Sequence, residues 1–148
     1  MRSSKAGSRH PTKFDPSTIP RYSVIRVPMS FGMRDKLMVI VAHNPEHGAA
    51  ICMKATSQMD FYRNNPDTQP GVVLYPAGTV PFLPEDTVIQ PDNMFAIEYG
   101  TIDNATRVLG ALPEDFHGRL VQAVTASITL AEKRRRDILK CLCGPSSN

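Results

Sequence analysis

Cationic and hydroxyl side chains follow two of the predicted strands of this chain. Arg34 and Lys36 come after the turn SFGM, and Thr56 and Ser57 end the apolar stretch ICMKATSQ. In a curved sheet both strand ends can face one rim. A guanidinium there would bind a phosphate through two hydrogen bonds and stabilise charge that develops in a transition state. If the phosphate belongs to RNA, the 2′-OH can attack the adjacent phosphorus without a metal and leave a cyclic phosphate.

A second group is His43 and His47, which flank Asn-Pro-Glu. A His-x-x-x-His pair binds zinc when both side chains lie on one helical face. Pro45 disfavours a helical conformation at Asn44, so we predict a surface turn instead. Either histidine could still act as a general acid or base.

A third group is acidic and consists of Glu85, Asp86 and Asp92. Paired carboxylates can hold magnesium or exchange protons with a substrate. Asp beside Pro also serves turn formation directly, and we favour that interpretation. We therefore predict no metal site and no cofactor.

A fourth group, Phe61-Tyr62-Arg63, lies in a polar segment at residues 58–70, which we predict to be a long loop. Aromatic rings in such a loop can stack on bases, with the arginine on a phosphate. Two aromatic residues in one loop also commonly pack back against the core. Both interpretations are open from the sequence.

The elements that must position these groups are mostly strands. Thirteen prolines in 148 residues favour short strands and structured loops. The segment KLMVIVA is almost wholly apolar, which indicates a strand buried on both faces. Five or six short segments bounded by Pro and Gly predict a small, curved antiparallel β-barrel. The segments are 22–29, 36–42, 47–58, 71–78, 87–90 and 93–102.

The C-terminal part of the chain changes to helical spacing. Apolar residues recur every three or four positions, which predicts one long amphipathic α-helix at about 113–142. A single helix of that length would be about 45 Å long and would exceed a small barrel, so the alternative is a break or a projection near Gly118 or after Ala131. Its basic run Lys-Arg-Arg-Arg, at 133–136, would lie toward the helix C-terminus. Cations are favoured there, so we interpret the run as a solvated helix end rather than a nucleic-acid contact.

Composition bounds the domain organisation. The length indicates one domain, with a flexible basic arm at 1–20 and a single barrel domain with its helix at 21–148. A net charge of +3 permits an anionic partner without requiring one. Three cysteines without framework spacing suggest a reducing compartment. No segment reaches the ~20 apolar residues of a membrane span, so we expect a cytoplasmic protein without membrane contact.

Several stretches resemble the MazF/PemK-like toxins of bacterial toxin–antitoxin systems. They are VIRVPMSFG, LMVIVA, ICMKATSQ, LPEDTVIQPDNMFAI and TIDNATRVLGALPED, and the likeness spans residues 22 to about 130. The resemblance implies an SH3-like barrel with a C-terminal helix, usually a homodimer. It also implies a metal-independent endoribonuclease that cuts single-stranded RNA and is neutralised by a cognate antitoxin peptide.

The resemblance also implies site residues. The family's catalytic Arg and its Thr or Ser match Arg34 and Thr56, with Ser57 adjacent to the latter. We add four neighbouring residues as predicted substrate contacts: Lys36, Lys54, Gln58 and Arg63.

The chain departs from the family pattern directly after the arginine. Asp35 stands where that family usually has Pro, and a carboxylate there would compete with phosphate for Arg34. The alternative function is therefore a catalytically inactive relative that binds nucleic acid or a protein partner in a regulatory role.

Overall fold

A computed structural model of the chain describes residues 15–28, 35–102 and 106–143. This part contains one six-stranded antiparallel sheet, curled into a half-barrel, with strands in the order β4-β5-β3-β2-β1-β6. The prediction of a mainly β fold with five or six antiparallel strands is confirmed. The strands are β1 (Ser23–Val27), β2 (Lys36–Asn44), β3 (Ala49–Thr56), β4 (Val73–Tyr75), β5 (Thr87–Glu98) and β6 (Arg107–Ala111). The α-helices are α1 (Asp60–Asn64), α2 (Phe116–Ala126) and α3 (Glu132–Cys143).

Strand β2 is apolar on both faces because both faces of the sheet are covered. Successive side chains of a strand point to opposite faces. Val39 and Val41 belong to a core cluster that joins the sheet to α2 and α3, through residues such as Phe116. Met38 and Ile40 belong to a second cluster on the other face. The sequence prediction of a strand buried on both faces is confirmed.

The second cluster includes a residue that we assigned to the N-terminal arm. Ile19 is only 4% exposed, and its carbonyl lies 2.7 Å from His43 Nε2. Just before it, Pro16–Thr18 forms a 3-10 turn, with the Asp15 side chain accepting a hydrogen bond from the Ser17 amide. The packed part of the chain therefore begins before residue 21. Residues 1–14 of the predicted arm lie outside the described residues.

Strand β5 is longer than predicted. The sequence indicated two strands, 87–90 and 93–102, with Pro91 between them. The structure shows a single strand from Thr87 to Glu98. Proline cannot donate a ladder hydrogen bond, so inside a strand it is confined to edges and bulges.

A bulge accommodates that proline. Lys54 of β3 pairs with Gln90 of β5, whereas the preceding Met53 pairs with Met94. Residues 91–93 therefore have no register partner and lie opposite the peptide between Met53 and Lys54 of β3. Such a bulge bends the strand and raises the local twist. The bend lies beside Lys54, a predicted substrate contact.

Strand β6 was not predicted from the sequence. It pairs antiparallel with β1, and its side chains are exposed or half-buried throughout. Gly110 within it has a φ of 155°, and a Cβ there would lie 2.6 Å from the Phe82 ring. A short edge strand with an internal glycine and no buried alternation has little sequence signal.

The predicted helix at about 113–142 is two helices, α2 and α3, separated by residues 127–131. Ser127 has an extended ψ of 131°, and its hydroxyl accepts a hydrogen bond from the Thr129 amide at 3.2 Å. Short hydroxyl side chains compete with helical hydrogen bonds in this way. Gly71 packs so close that a Cβ on it would lie 2.8 Å from the Ser127 Cα. The break is therefore formed by local hydrogen bonding and by packing from a distant segment.

The break changes the position of the basic run 133–136. It lies in the first half of α3, not toward a helix C-terminus as predicted. The Arg135 guanidinium donates to the carbonyls of Val124 (2.6 Å), Thr125 (3.1 Å) and Leu130 (3.2 Å). Carbonyls at the end of a helix have no intrahelical donors. Arg135 therefore caps α2 from the following helix.

The other members of the run make fewer hydrogen bonds. Arg134 donates to the Met94 carbonyl of β5 at 2.8 Å. Lys133 pairs with Asp137 at 3.6 Å, and both side chains are exposed. Arg136 is exposed and makes no side-chain hydrogen bond or ion pair with the described residues. Half of the run thus joins structural elements to one another.

No helix within residues 15–28, 35–102 and 106–143 has the length and apolar character needed to cross a membrane.

Candidate functional site

The site begins where β2 starts and β3 ends. These strands are antiparallel neighbours, with Met38 of β2 paired to Lys54 of β3. Side chains two positions apart on a strand share a face, and so do directly paired residues. Lys36, Lys54 and Thr56 therefore project from one face of the sheet at one rim.

These three residues line a cleft of about 380 Å³, together with Ser57 and Gln58. The structure thus brings five of the seven predicted site residues into one cleft. Three of these residues, Lys36, Lys54 and Thr56, lie on strands, and sites built on strands are held more rigidly than sites built on loops. The cleft is also lined by residues that the sequence did not assign to it: Arg26, Asp35, Leu37, Ala55 and Glu85.

The Thr56 hydroxyl is oriented by the chain that follows it. Its Oγ1 accepts a hydrogen bond from the Gln58 amide at 3.1 Å. A hydroxyl that accepts one hydrogen bond keeps its own proton for donation. Thr56 and Ser57 are both half-buried. The end of β3 therefore presents a hydroxyl donor into the cleft.

The two cleft lysines are available to bind a ligand. Lys36 and Lys54 are exposed, and neither forms a salt bridge with a carboxylate among the described residues. Two carboxylates, Asp35 and Glu85, line the same cleft without such a pairing. The cleft therefore combines cations, hydroxyl donors and proton-accepting oxygens.

The nearby thiol is not a nucleophile. Cys52 is fully buried on β3, two residues before Lys54. Burial disfavours the charged thiolate and raises the pKa of Cys52 to about 12. The thiolate is the reactive form of cysteine, so Cys52 is inert near neutral pH.

A second cleft adjoins the first and shares four residues with it: Lys54, Thr56, Ser57 and Gln58. Its volume is about 570 Å³, and α1 forms its opposite side. The segment 58–70, which we predicted to be a long loop, contains the short helix α1 and most of a 3-10 segment, Pro66–Gly71. Phe61 and Tyr62 behave differently: Tyr62 is 5% exposed, whereas Phe61 is 56% exposed.

Arg63 lines this second cleft, but carboxylates already surround it. Its guanidinium lies 3.5 Å from Asp60 and 3.8 Å from Asp86. All three side chains are substantially exposed, so these ion pairs are weak and exchange readily. Arg63 is thus the least available of the predicted substrate contacts that the structure describes.

The three histidines within the described residues do not line either cleft. His43 bonds to the Tyr99 hydroxyl through Nδ1 at 2.7 Å and faces the Ile19 carbonyl through Nε2. The Tyr22 hydroxyl bonds to His117 Nδ1 on another part of the surface. His47 ends a 3-10 turn, Pro45–His47, which confirms the predicted surface turn. A histidine as the proton carrier of this cleft has no support from the described residues.

The acidic group does not assemble. Asp86 accepts a hydrogen bond from the Ala77 amide at 2.7 Å, which fits the predicted turn function. Asp92 accepts from the Thr129 hydroxyl at 2.9 Å, and only Glu85 lines the cleft. Within the described residues, no group of three His, Cys, Asp or Glu side chains could hold a metal ion.

Arg34, the predicted catalytic arginine, lies outside the described residues. Its neighbour Asp35 lies at the cleft that the prediction named. The missed residues have unequal sequence signals. Glu85 belonged to the acidic group that we considered for proton transfer, whereas Arg26 carried no signal beyond its charge.

Comparison with protein-family models and with curated proteins gave no match for this chain.

Proposed function

We propose that the cleft binds a phosphodiester of single-stranded RNA and that the protein is a metal-independent endoribonuclease of the MazF/PemK-like toxin type. The observation that supports this most is the common cleft of Lys36, Lys54, Thr56 and Ser57. Ammonium groups and hydroxyl donors are the partners that a phosphate requires. The mild positive charge of the chain, +3, suits the same substrate.

In the proposed reaction, the 2′ oxygen attacks the adjacent phosphorus and the bond from phosphorus to the 5′ oxygen breaks. The 2′-OH proton passes to a cleft carboxylate, for which Glu85 and Asp35 are the described candidates. The leaving 5′ oxygen takes a proton from a cleft ammonium group or from water. The products are a 2′,3′-cyclic phosphate and a 5′-hydroxyl end.

The predicted catalytic residues and the two cleft lysines have different roles in this reaction. Arg34 stabilises the charge that grows on the phosphoryl oxygens, the role of an arginine at a reacting phosphate. Thr56 donates its hydroxyl proton to a non-bridging oxygen and positions the phosphate. Lys36 and Lys54 hold the flanking backbone, and Ser57 supplies a second hydroxyl.

The proposal extends to fold and partners. The six-stranded curled sheet is compatible with the SH3-like barrel that the resemblance implies. The toxin type also includes a homodimer and a cognate antitoxin peptide. An acidic antitoxin segment would compete with RNA for the same two lysines.

A second candidate function is binding without cleavage. It is favoured by the absence of histidine from the described lining of the cleft, because histidine is the commonest proton carrier near neutral pH. In that case the protein binds nucleic acid or a partner protein and regulates it. The cleft geometry is the same in both candidates, so activity must separate them.

The deciding experiment is incubation of the purified protein with a long single-stranded RNA in EDTA, followed by mapping of both new ends. We expect discrete cuts with cyclic phosphate and 5′-hydroxyl termini. Binding without cuts would favour the second candidate. Cleavage that EDTA abolishes would contradict the metal-independent mechanism.

A matched substrate tests the nucleophile. One 2′-deoxy nucleotide placed at a mapped cut site removes the attacking oxygen and leaves the phosphate charge unchanged. We expect normal binding and no cleavage at that position. Continued cleavage there would show that water, not the 2′-OH, attacks phosphorus.

A further inference from the structure

Phe61 is an exposed aromatic ring beside the proposed phosphate site. It is one of three large apolar side chains that are exposed in the described part of the chain; the others are Val108 and Ile128. Single exposed apolar residues are common and need no explanation. Phe61 differs from the other two because it is aromatic and lines a cleft that also contains Lys54 and Thr56.

The ring of Phe61 contacts one buried aromatic ring. Tyr62 is buried and meets Phe61 edge to face, with ring centroids 5.2 Å apart. The Tyr62 hydroxyl accepts a hydrogen bond from the side-chain amide (Nε2) of Gln90 in β5. An exposed ring fixed by a buried neighbour loses little conformational entropy when a ligand binds. This is the arrangement that a stacking surface requires.

We infer that Phe61 stacks on an unpaired base of the bound strand while Lys54 contacts the adjacent phosphate. This inference rests on the proposed function and deepens it by assigning a base-stacking contact to one residue beside the phosphate site. A paired base offers its face to its neighbours in the helix, so only an unstacked base can lie on Phe61. Gln58 is exposed, lines the same cleft and can contact the base edge.

The chain contains no tryptophan, which gives a direct test. Phe61→Trp places a single indole at the proposed stacking position, and Ile128→Trp, at a site 65% exposed, is the matched control. A short single-stranded 2′-O-methyl RNA serves as an uncleavable probe. We expect it to quench the fluorescence of the first variant and not of the second. An RNA that binds without quenching Phe61→Trp overturns the inference.

Binding affinities for two RNA probes distinguish a stacking contact of Phe61 from an aromatic ring that is only exposed. Phe61→Leu keeps an apolar side chain and removes the aromatic face, and we expect about tenfold weaker binding of the probe, the scale of one lost base stack. The same variant should bind an abasic probe of equal length and charge as well as the unsubstituted protein does. An equal loss on both probes, or no loss on either, overturns the inference.

The two proposals fail differently. If the unsubstituted protein binds the probe and Phe61→Leu changes nothing, the stacking inference fails and the phosphate site stands. If the unsubstituted protein binds neither probe, both fail.

Discussion

Two basic regions within the described residues, the run 133–136 and the cleft lysines, differ in what their positive charges contact. In the run 133–136, Arg135 and Arg134 donate to backbone carbonyls of the same chain. At the cleft, Lys36 and Lys54 are exposed and form no salt bridge with the described residues. The run 133–136, where the positive charges are closest together in the sequence, therefore joins structural elements through two of its residues. The two cleft lysines are available to a ligand.

The difference between the two regions shows how to interpret basic residues. A guanidinium that satisfies three carbonyls has its donors occupied, and only part of its charge remains for a polyanion. An ammonium group at a strand end, with hydroxyls beside it, has its donors free. The number of adjacent cations is a weaker guide to nucleic-acid binding than their hydrogen-bonding state.

The largest effect should come from the predicted catalytic arginine. Arg34→Ala removes the guanidinium that stabilises the transition-state charge, so RNA cleavage should fall about 100-fold or more. Initial rates on a mapped single-cut RNA measure this. Arg34→Lys keeps the charge without the two-bond geometry and should recover only part of the rate. Full activity of Arg34→Ala would remove Arg34 from the site.

The second largest effect should come from Arg135 in the run 133–136, and it concerns stability. Arg135 has a side chain only 17% exposed and caps the carbonyls of α2. Arg135→Ala should lower the free energy of unfolding by about 2–3 kcal/mol, because three carbonyls, two of them in part-buried hydrogen bonds, lose their charged donor. Denaturant titration measures this. Arg134→Ala, which removes one exposed hydrogen bond, should cost less than half as much.

A third prediction concerns the cleft. Lys36→Ala combined with Lys54→Ala should weaken single-stranded RNA binding about tenfold at low salt. The slope of log affinity against log salt concentration should also fall by about 1.4, or about 0.7 for each phosphate that is no longer neutralised. Fluorescence anisotropy over a salt series measures both. An unchanged slope would show that these lysines do not contact phosphate.

The smallest expected effect is the strictest test of the comparison. Arg136 is exposed and, among the described residues, without a side-chain partner. Arg136→Glu reverses its charge, yet RNA affinity should stay within about twofold and unfolding within about 0.5 kcal/mol. If this variant binds RNA as weakly as the double lysine variant, the helical run is part of the interface.

The sequence predicted the elements whose patterns are local. The apolar run of β2 and the hydroxyl end of β3 are visible as composition, and both lie where expected. The alternative of a break after Ala131 agrees with the start of α3 at Glu132. The sequence did not indicate that α2 already ends before Ser127, because apolar spacing continues through Ile128 and the packing of Gly71 on Ser127 comes from a distant segment. Strand β6 was missed because it has no buried alternation.

In the candidate site, too, the residues that belong to local strand patterns were predictable from the sequence. Lys36, Lys54 and Thr56 follow from strand ends and alternation, so their common face could be deduced. The presence of Glu85 in the cleft depends on how the segment before β5 folds back, and no local pattern encodes that. The division between exposed Phe61 and buried Tyr62 likewise depends on the hydrogen bond from Gln90, a residue far along the chain.

The bulge in β5 has a consequence for amide exchange with solvent. Register pairs join β5 to β4 at Thr87–Ile89, and to β3 on either side of residues 91–93, but none includes these three. Pro91 has no amide hydrogen to exchange. The backbone amides of Asp92 and Asn93 have no register partner, so they should exchange before those of the flanking ladder. Those two amides lie beside Lys54, and slower exchange on adding RNA would report binding at the cleft through the backbone.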